Sequence, residues 1–476
     1  MRDSLSHPFS RLPAYQCEKL HQASLGILER SGARLYHQPA VDLLRRAGAE
    51  VFDGNRVLIP STLVEQAFET ALHEVQLFDR HGEPAMTLGG RRTYFGTGSD
   101  CLNIVDHRSG ERRKPLMNDV VDGITLCDAL PNIDFVMSMF LPTDVPDEVS
   151  DRYQMRAMLE HTAKPIMFVT NDLAGCVDAV AMAEAVVGGA EALQTRPLAA
   201  CYINVTTGLR HNEEALQKLL FLSERGLPFA YIPVALGGAT APITLAGNMA
   251  IWNAGCLVGL VLSQLQRPGA PFITTGWGAS ALDMRTAISP YVEPEKAFIA
   301  QDLAHFYRLP MFALGGCSDS KIVDQQAGIE AALTLATKAV TGSHLVHDIG
   351  YLESGLSGSL AQVVICDEVI DWLRAALAPI EINDETLALD LIDEVGPDGH
   401  FMDTDHTLAH FRERWYPTVM DRHNHQGWLE RGSQDLGQRA AERVDEILGQ
   451  HQPEPLPDPV RVRLDEIVEA AASGPA

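Results

Sequence analysis

Paired cysteines are missing from this sequence: its eight cysteines, Cys17, Cys101, Cys127, Cys176, Cys201, Cys256, Cys317 and Cys366, stand far apart, with no Cys-x-x-Cys. That pattern excludes a disulfide framework and a zinc site of ordinary spacing, and leaves free thiols in a reducing compartment as the expectation. Only Cys317, in a Gly-rich segment at a strand end, draws attention as a site residue. Positive charge is scarce too. Lys and Arg number 37 against 63 Asp and Glu, a net charge of -26. The basic residues are scattered, so no stripe is available to neutralise a phosphate backbone, and nucleic acid is not an expected partner. Long apolar runs are also absent. Met1 to His7 holds no signal-peptide core, and stretches such as Leu257 to Leu262 are too short to span a bilayer, so a cytoplasmic protein without a membrane partner is expected. No His, Cys, Asp or Glu cluster stands at metal-ligand spacing; His211 and His344 are single and separated, and no metal is expected.

What the chain does have is 46% hydrophobic residues in 476, enough for one large core with terminal decorations. From residue 91 onward, short β-rich apolar runs alternate with longer amphipathic stretches, the sign of successive βα units. The runs are Thr93 to Phe95, Phe135 to Phe140, Ile166 to Val169, Leu198 to Ile203, Phe229 to Ile232, Phe272 to Thr274, Met311 to Leu314 and His344 to Val346. Pro165, Pro197, Pro228, Pro271 and Pro310 each stand at a strand start, where a missing amide donor costs little. Eight such units predict an α/β fold, a (β/α)8 TIM barrel over 91–378, with a doubly wound open sheet as the alternative.

Helix starts are expected at Asn118-Asp119, at Asp172 or Leu173, and near Pro242. Before the barrel, 1–90 reads as a cap: a helix over 16–38, a helical piece from Ala40, a hairpin from Glu50 to Pro60 on the turn Asp53-Gly54-Asn55, and a helix over 61–72. After it, 379–476 reads as a helical extension containing a proline-rich spacer from Pro453 to Pro459. Its last helix, from Val460 to Ala472, is expected to dock on this or a neighbouring subunit, so a homo-oligomer is possible.

Three stretches together resemble the trimethylamine methyltransferase family. They are Leu25 to Arg34 with Val57 to Pro60 and Leu77 to Gly82; Gly316-Cys317-Ser318-Asp319-Ser320-Lys321 through Gly328; and Tyr351-Leu352-Glu353-Ser354-Gly355-Leu356 with Asp367-Glu368. The resemblance runs from about residue 16 to 450. Members acting on trimethylamine carry pyrrolysine, whose position falls near Gln325 to Gly328, and this sequence has no such residue. The chain therefore resembles the non-pyrrolysine branch, which demethylates quaternary amines such as glycine betaine. The resemblance implies transfer of a methyl group from a small methylated amine to the corrinoid of a separate protein, with no cofactor bound directly. A sulfonium donor, a folate acceptor and a betaine-binding barrel without catalysis are the other readings.

A cation without N–H groups is held by aromatic faces, and in a barrel these belong at the C-terminal strand ends. Tyr94, Trp277 and Tyr351 are the first candidates, with Tyr231 and Tyr291 behind them; each is also an ordinary core filler. A substrate carboxylate calls for a donor, and His347, whose tautomer Asp348 can set, is the economical choice. The glycine loops Gly96 to Asp100 and Gly315 to Ser318 offer backbone amides at the same end, though neither is a Walker or Rossmann fingerprint. Asn204 is placed to orient a polar group or to make an Asx turn. Asp319 and Asp324 either face the cation or cap the next helix.

Overall fold

The computed structural model describes residues 9–276, 280–296, 298 and 300–474. Seven strands form one all-parallel half-barrel sheet, in the spatial order Tyr94–Phe95, Leu345–His347, Met311–Leu314, Phe272–Thr275, Phe229–Pro233, Ala199–Val205, Ile166–Phe168. Seven of the eight expected apolar runs are these strands. The prolines show why their positions repeat: the carbonyls of Pro165, Pro228, Pro271 and Pro310 accept from Val136, Cys201, Phe229 and Thr274 on the neighbouring segment, while the missing N–H lies outside the ladder.

The remaining run, Phe135 to Phe140, differs from the expected strand. It contributes only isolated parallel bridges, Gly96 to Phe135, Val136 to Ile166 and Cys101 to Phe140. A side chain replaces the ladder there. The Met137 amide donates to Thr97 Oγ1 (3.1 Å), which donates back to the Met137 carbonyl (3.0 Å). Met139 then takes φ 61°, outside the β region, and ends extended pairing.

Alternate residues of these strands share the inner face. Phe135, Met137, Met167, Ala200, Ala230, Ile232, Ile273, Phe312 and Leu345 form one buried cluster with Val75, Leu77, Met86 and Leu88. The last four belong to a hairpin of Val75–Phe78 and Pro84–Leu88 that stoppers the end where the strands begin. The Phe78 amide donates to the Pro197 carbonyl, and Arg80 to that of Ala163. Each large apolar side chain buried in this way contributes about 1.5–3 kcal/mol.

The cap contains the expected hairpin: Glu50–Phe52 pairs with Arg56–Leu58, Val51 opposite Val57, around Asp53 and Gly54 at positive φ. The first helix is shorter than expected, Ala14–Arg30, because Gly32 takes φ 67° and its amide closes the last turn on Ile27. Residues 33–35 instead form a strand beside Arg210–His211. The cap helix lies against Leu245–Gln266, a helix whose sides are nearly all buried. This is the one helix among the described residues long and apolar enough to cross a membrane, and 78% of its apolar window is buried inside the protein. It starts after Pro242 rather than on it, with Thr244 at the N-cap. Asp172 caps Leu173–Val187 as expected, accepting from the Gly175 amide at 2.8 Å.

The extension is broken into short helices up to residue 430, followed by Leu436–Gln450 and Asp458–Ser473. The last helix docks on its own chain, burying Leu464, Ile467 and Val468 and pairing Asp465 with Arg156 at 2.8 Å. Glu368 fastens the extension to the helix Leu360–Ala376. Its carboxylate, 2% exposed, accepts from the amides of Thr418, Val419 and Met420 at 3.0–3.1 Å and from the Thr418 hydroxyl. Glu368→Ala leaves the buried Val419 amide and the half-buried Met420 amide unmatched, so a loss of about 3 kcal/mol in stability is expected. Urea unfolding checks the loss, and limited proteolysis should show the extension released first.

Candidate active site

At the ends where the strands finish, the inner face changes from apolar to polar. Along Ala199–Val205, Ala200 and Tyr202 face inward and Asn204 follows them, exposed at the mouth. Along Leu345–His347, Leu345 is followed by His347 in the same phase. The His347 ring stacks on Phe312, centroids 4.1 Å apart and planes within 14°, and Tyr202 stands edge-on to it at 6.3 Å. Its Nδ1 lies 2.6 Å from Asp348 Oδ1. Its Nε2 is buried and has no hydrogen-bond partner, although the residue is only 5% exposed. A native buried polar atom is rarely left so.

Asp348 reaches its neighbour because it takes φ 72°, a conformation costly for a side-chain-bearing residue. Space for its carboxylate comes from Gly98: a Cβ there would collide with Asp348 Oδ1 and stand 2.5 Å from the Tyr351 hydroxyl. Tyr351 is 3% exposed, and its hydroxyl donates to the Ser99 carbonyl. Tyr291 brings its hydroxyl to Gly355, where a Cβ would stand 2.5 Å away. Burial and the nearby carboxylates of Asp348 and Asp100 push the Tyr202 and Tyr351 phenols up, and burial and Asp348 push up Tyr291. Burial likewise raises Asp100 above the ordinary carboxylate range. The result is a cluster of phenol rings and carboxyls around one imidazole.

Of the residues expected from the sequence, the structure brings His347, Tyr351 and Tyr291 into this cluster and puts Asn204 at its rim. Tyr94 lies at the opposite end of its strand, where its hydroxyl accepts from the Thr87 amide of the stopper hairpin at 3.1 Å. Tyr231 is out of phase with its inward neighbours Ala230 and Ile232; fully buried, it stacks on His211 with its hydroxyl 2.6 Å from Nδ1. The Asp319 carboxylate faces no cation. It accepts from the Tyr291 amide (2.8 Å), the Val292 amide (3.1 Å) and the Ser354 hydroxyl (2.7 Å), tying together the loops that carry Tyr291 and Gly355. Asp324 caps the helix Gln325–Thr341. Trp277 lies outside the described residues. Sequence reasoning missed Tyr202 and Asp100; the two-residue spacing of Tyr202 from Asn204 carries the signal that both share a face.

All eight cysteines are buried, and none is in a disulfide. Among the described residues no three His, Cys, Asp or Glu side chains are grouped to hold a metal ion. Burial holds His211 down at about 3 and His344 at about 4. His344 accepts from the Met311 amide at Nδ1 and lies 3.1 Å from the Gly90 carbonyl at Nε2, a neutral strand-end fastener. An unfolded chain protonates both rings below about pH 6.5, so stability is full above that pH. It falls as pH drops toward the folded values, by up to about 1.4 kcal/mol per unit for each histidine. Urea midpoints measured from about pH 7 to pH 4 should decline with that slope.

Polar and aromatic groups converge where the parallel strands end, above an apolar interior, the arrangement in which α/β enzymes place their active sites. The Trimethylamine methyltransferase (MTTB) family matches over residues 4–473, and the chain belongs to that family of methyltransferases. Among relatives, it is 34% identical to a trimethylamine methyltransferase of Desulfitobacterium hafniense, covering 94% of this chain and 91% of that one. It is 30% identical to a glycine betaine methyltransferase of Desulfitobacterium hafniense, covering 95% of each. The fold resembles the crystal structure of the Methanosarcina barkeri monomethylamine methyltransferase, with TM-score 0.50 and 12% identity over 93% of this chain and 89% of that one.

Proposed function

We propose that this chain transfers a methyl group from a small, betaine-like quaternary amine to the Co(I) corrinoid of a partner protein. The observation that carries the reading is the buried, unpartnered Nε2 of His347, on a ring that stacks on Phe312 and has Tyr202 edge-on at 6.3 Å. The glycine betaine methyltransferase relative and the lack of pyrrolysine support it. In the same reading Phe135 and Val136, bridging Gly96 and Ile166, close the half-barrel into a (β/α)8 barrel over 91–378, with 1–90 as cap and 379–476 as extension.

A quaternary ammonium already carries its leaving-group charge, so the amine departs neutral and needs no acid. The reduced corrinoid supplies the nucleophile. The chain then has to position the methyl group, shield the cation and keep water out. Phenol faces attract a methylated ammonium by roughly 0.5–2 kcal/mol each, and the Asp348 and Asp100 carboxyls add attraction at longer range. His347 anchors the other end of the substrate, with Asn204 at the rim. Tyr351, its hydroxyl committed to Ser99, serves as a fixed wall.

The test is to supply the protein with reduced cobalamin and, in turn, glycine betaine, proline betaine, carnitine, choline, trimethylamine and a dimethylsulfonio acid, following loss of the Co(I) absorbance. Turnover with one betaine and not with trimethylamine is expected. Turnover with the sulfonium alone would replace the donor class, and binding without turnover on any compound would remove the corrinoid acceptor.

A further inference from the structure

The hydrogen bond between His347 and Asp348 settles which ring nitrogen carries the proton in the neutral imidazole. A carboxylate only accepts, so Nδ1 holds the hydrogen, and Nε2 is left as a buried bare lone pair without a partner. A neutral ring so arranged accepts from an N–H or O–H group and repels a carboxylate, whereas an imidazolium beside Asp348 would donate to one.

The surroundings make this decisive. Asp348 comes from His347's own loop and Asp100 from the loop after Tyr94–Phe95; Tyr202, Tyr291 and Tyr351 come from three other segments, with the thiols of Cys101 and Cys317 beside them. All of these groups are neutral or negative. Lys218 is close enough to act on Asp100, but it is buried with its ammonium donating to the Thr170 carbonyl at 2.7 Å. A substrate carboxylate entering here meets two aspartates, and among the described residues of this cluster the imidazole ring is the group placed to offer it positive charge.

We propose that His347 binds the substrate carboxylate only as an imidazolium, so that each betaine entering the site brings one proton onto Nε2. This rests on the quaternary-amine reading above and deepens it. Asp348 offsets the charge gained on the ring, Phe312 holds the ring plane, and Nε2–H then donates to the carboxylate. The proton comes from solvent and returns to it when the product leaves, so the methyl transfer itself stays balanced. The device also selects substrates: an acid-bearing quaternary amine binds with a proton, whereas an alcohol such as choline donates its own hydroxyl to the neutral ring and takes none up.

Titration calorimetry of the full chain tests this, using glycine betaine, choline and tetramethylammonium. Each is titrated in two buffers of different ionisation enthalpy, from about pH 6 to about pH 9, which spans the imidazole range. For glycine betaine the expected result is uptake rising toward one proton per site on the alkaline side, with affinity falling tenfold per pH unit there. Choline and tetramethylammonium should show none. His347→Gln, which keeps an N–H donor without a titrating ring, should bind betaine with no uptake and a flat pH profile. Betaine binding by the native protein without proton uptake throughout that range would overturn the proposal and leave the quaternary-amine reading intact. Failure of all three compounds to bind at any pH would overturn both.

Discussion

Gly98→Ala should lower kcat/KM by about 100-fold while leaving the protein folded. The added methyl group occupies space now held by the Asp348 carboxylate and the Tyr351 hydroxyl. Asp348 is already fixed in a left-handed backbone conformation and has little freedom to retreat, so its hydrogen bond to His347 must lengthen or break. Displacing a positioning group by about 1 Å is enough to cost a factor of about 100 in rate. A thermal midpoint within a few degrees of the native value, together with the lost activity, is the expected pair of measurements. Native activity in the variant would mean that the Asp348–His347 contact does not hold the reacting geometry.

Tyr202→Ala should raise KM for every quaternary amine by about tenfold with little change in kcat. The ring is one of the faces around the imidazole, at 6.3 Å from His347 and 5.4 Å from Phe312. Removing it takes away one desolvated cation–π contact, roughly 0.5–2 kcal/mol. Tyr202→Phe keeps the ring and should stay near native values. If the phenylalanine variant is as impaired as the alanine one, the hydroxyl rather than the π-face is what the substrate uses.

The parallel strands are legible in the sequence because they are short apolar runs largely buried on both faces, five of the seven starting at a proline, and both properties are local. The segment after Phe135 reads as a strand by the same rule and falls short of one because Thr97, 40 positions away by chain separation, substitutes its hydroxyl for the ladder. The site is legible in part. His347 and Asp348 are adjacent in sequence, so their pairing needs only a turn. Tyr94 satisfies the same criterion of an aromatic on a barrel strand, yet its two-residue strand places it at the stoppered end. Asp319 has the right charge for a cation, but its partners at 291, 292 and 354 lie in other loops and claim the carboxylate first. Tyr202 is hidden for a different reason. Nothing within a strand announces which of its two faces is the inner one until the neighbouring strands are in register.

The hairpin formed by Val75–Phe78 and Pro84–Leu88 has a kinetic meaning. It covers the end where the strands begin, so in the proposed reaction the amine and the methyl acceptor both approach from the end where the strands finish. The amine therefore has to be seated before the acceptor arrives, and the demethylated product stays trapped until the acceptor has left. Turnover from one side follows a compulsory sequence, first in and last out, and an excess of acceptor protein should slow the enzyme by covering the site while it is empty.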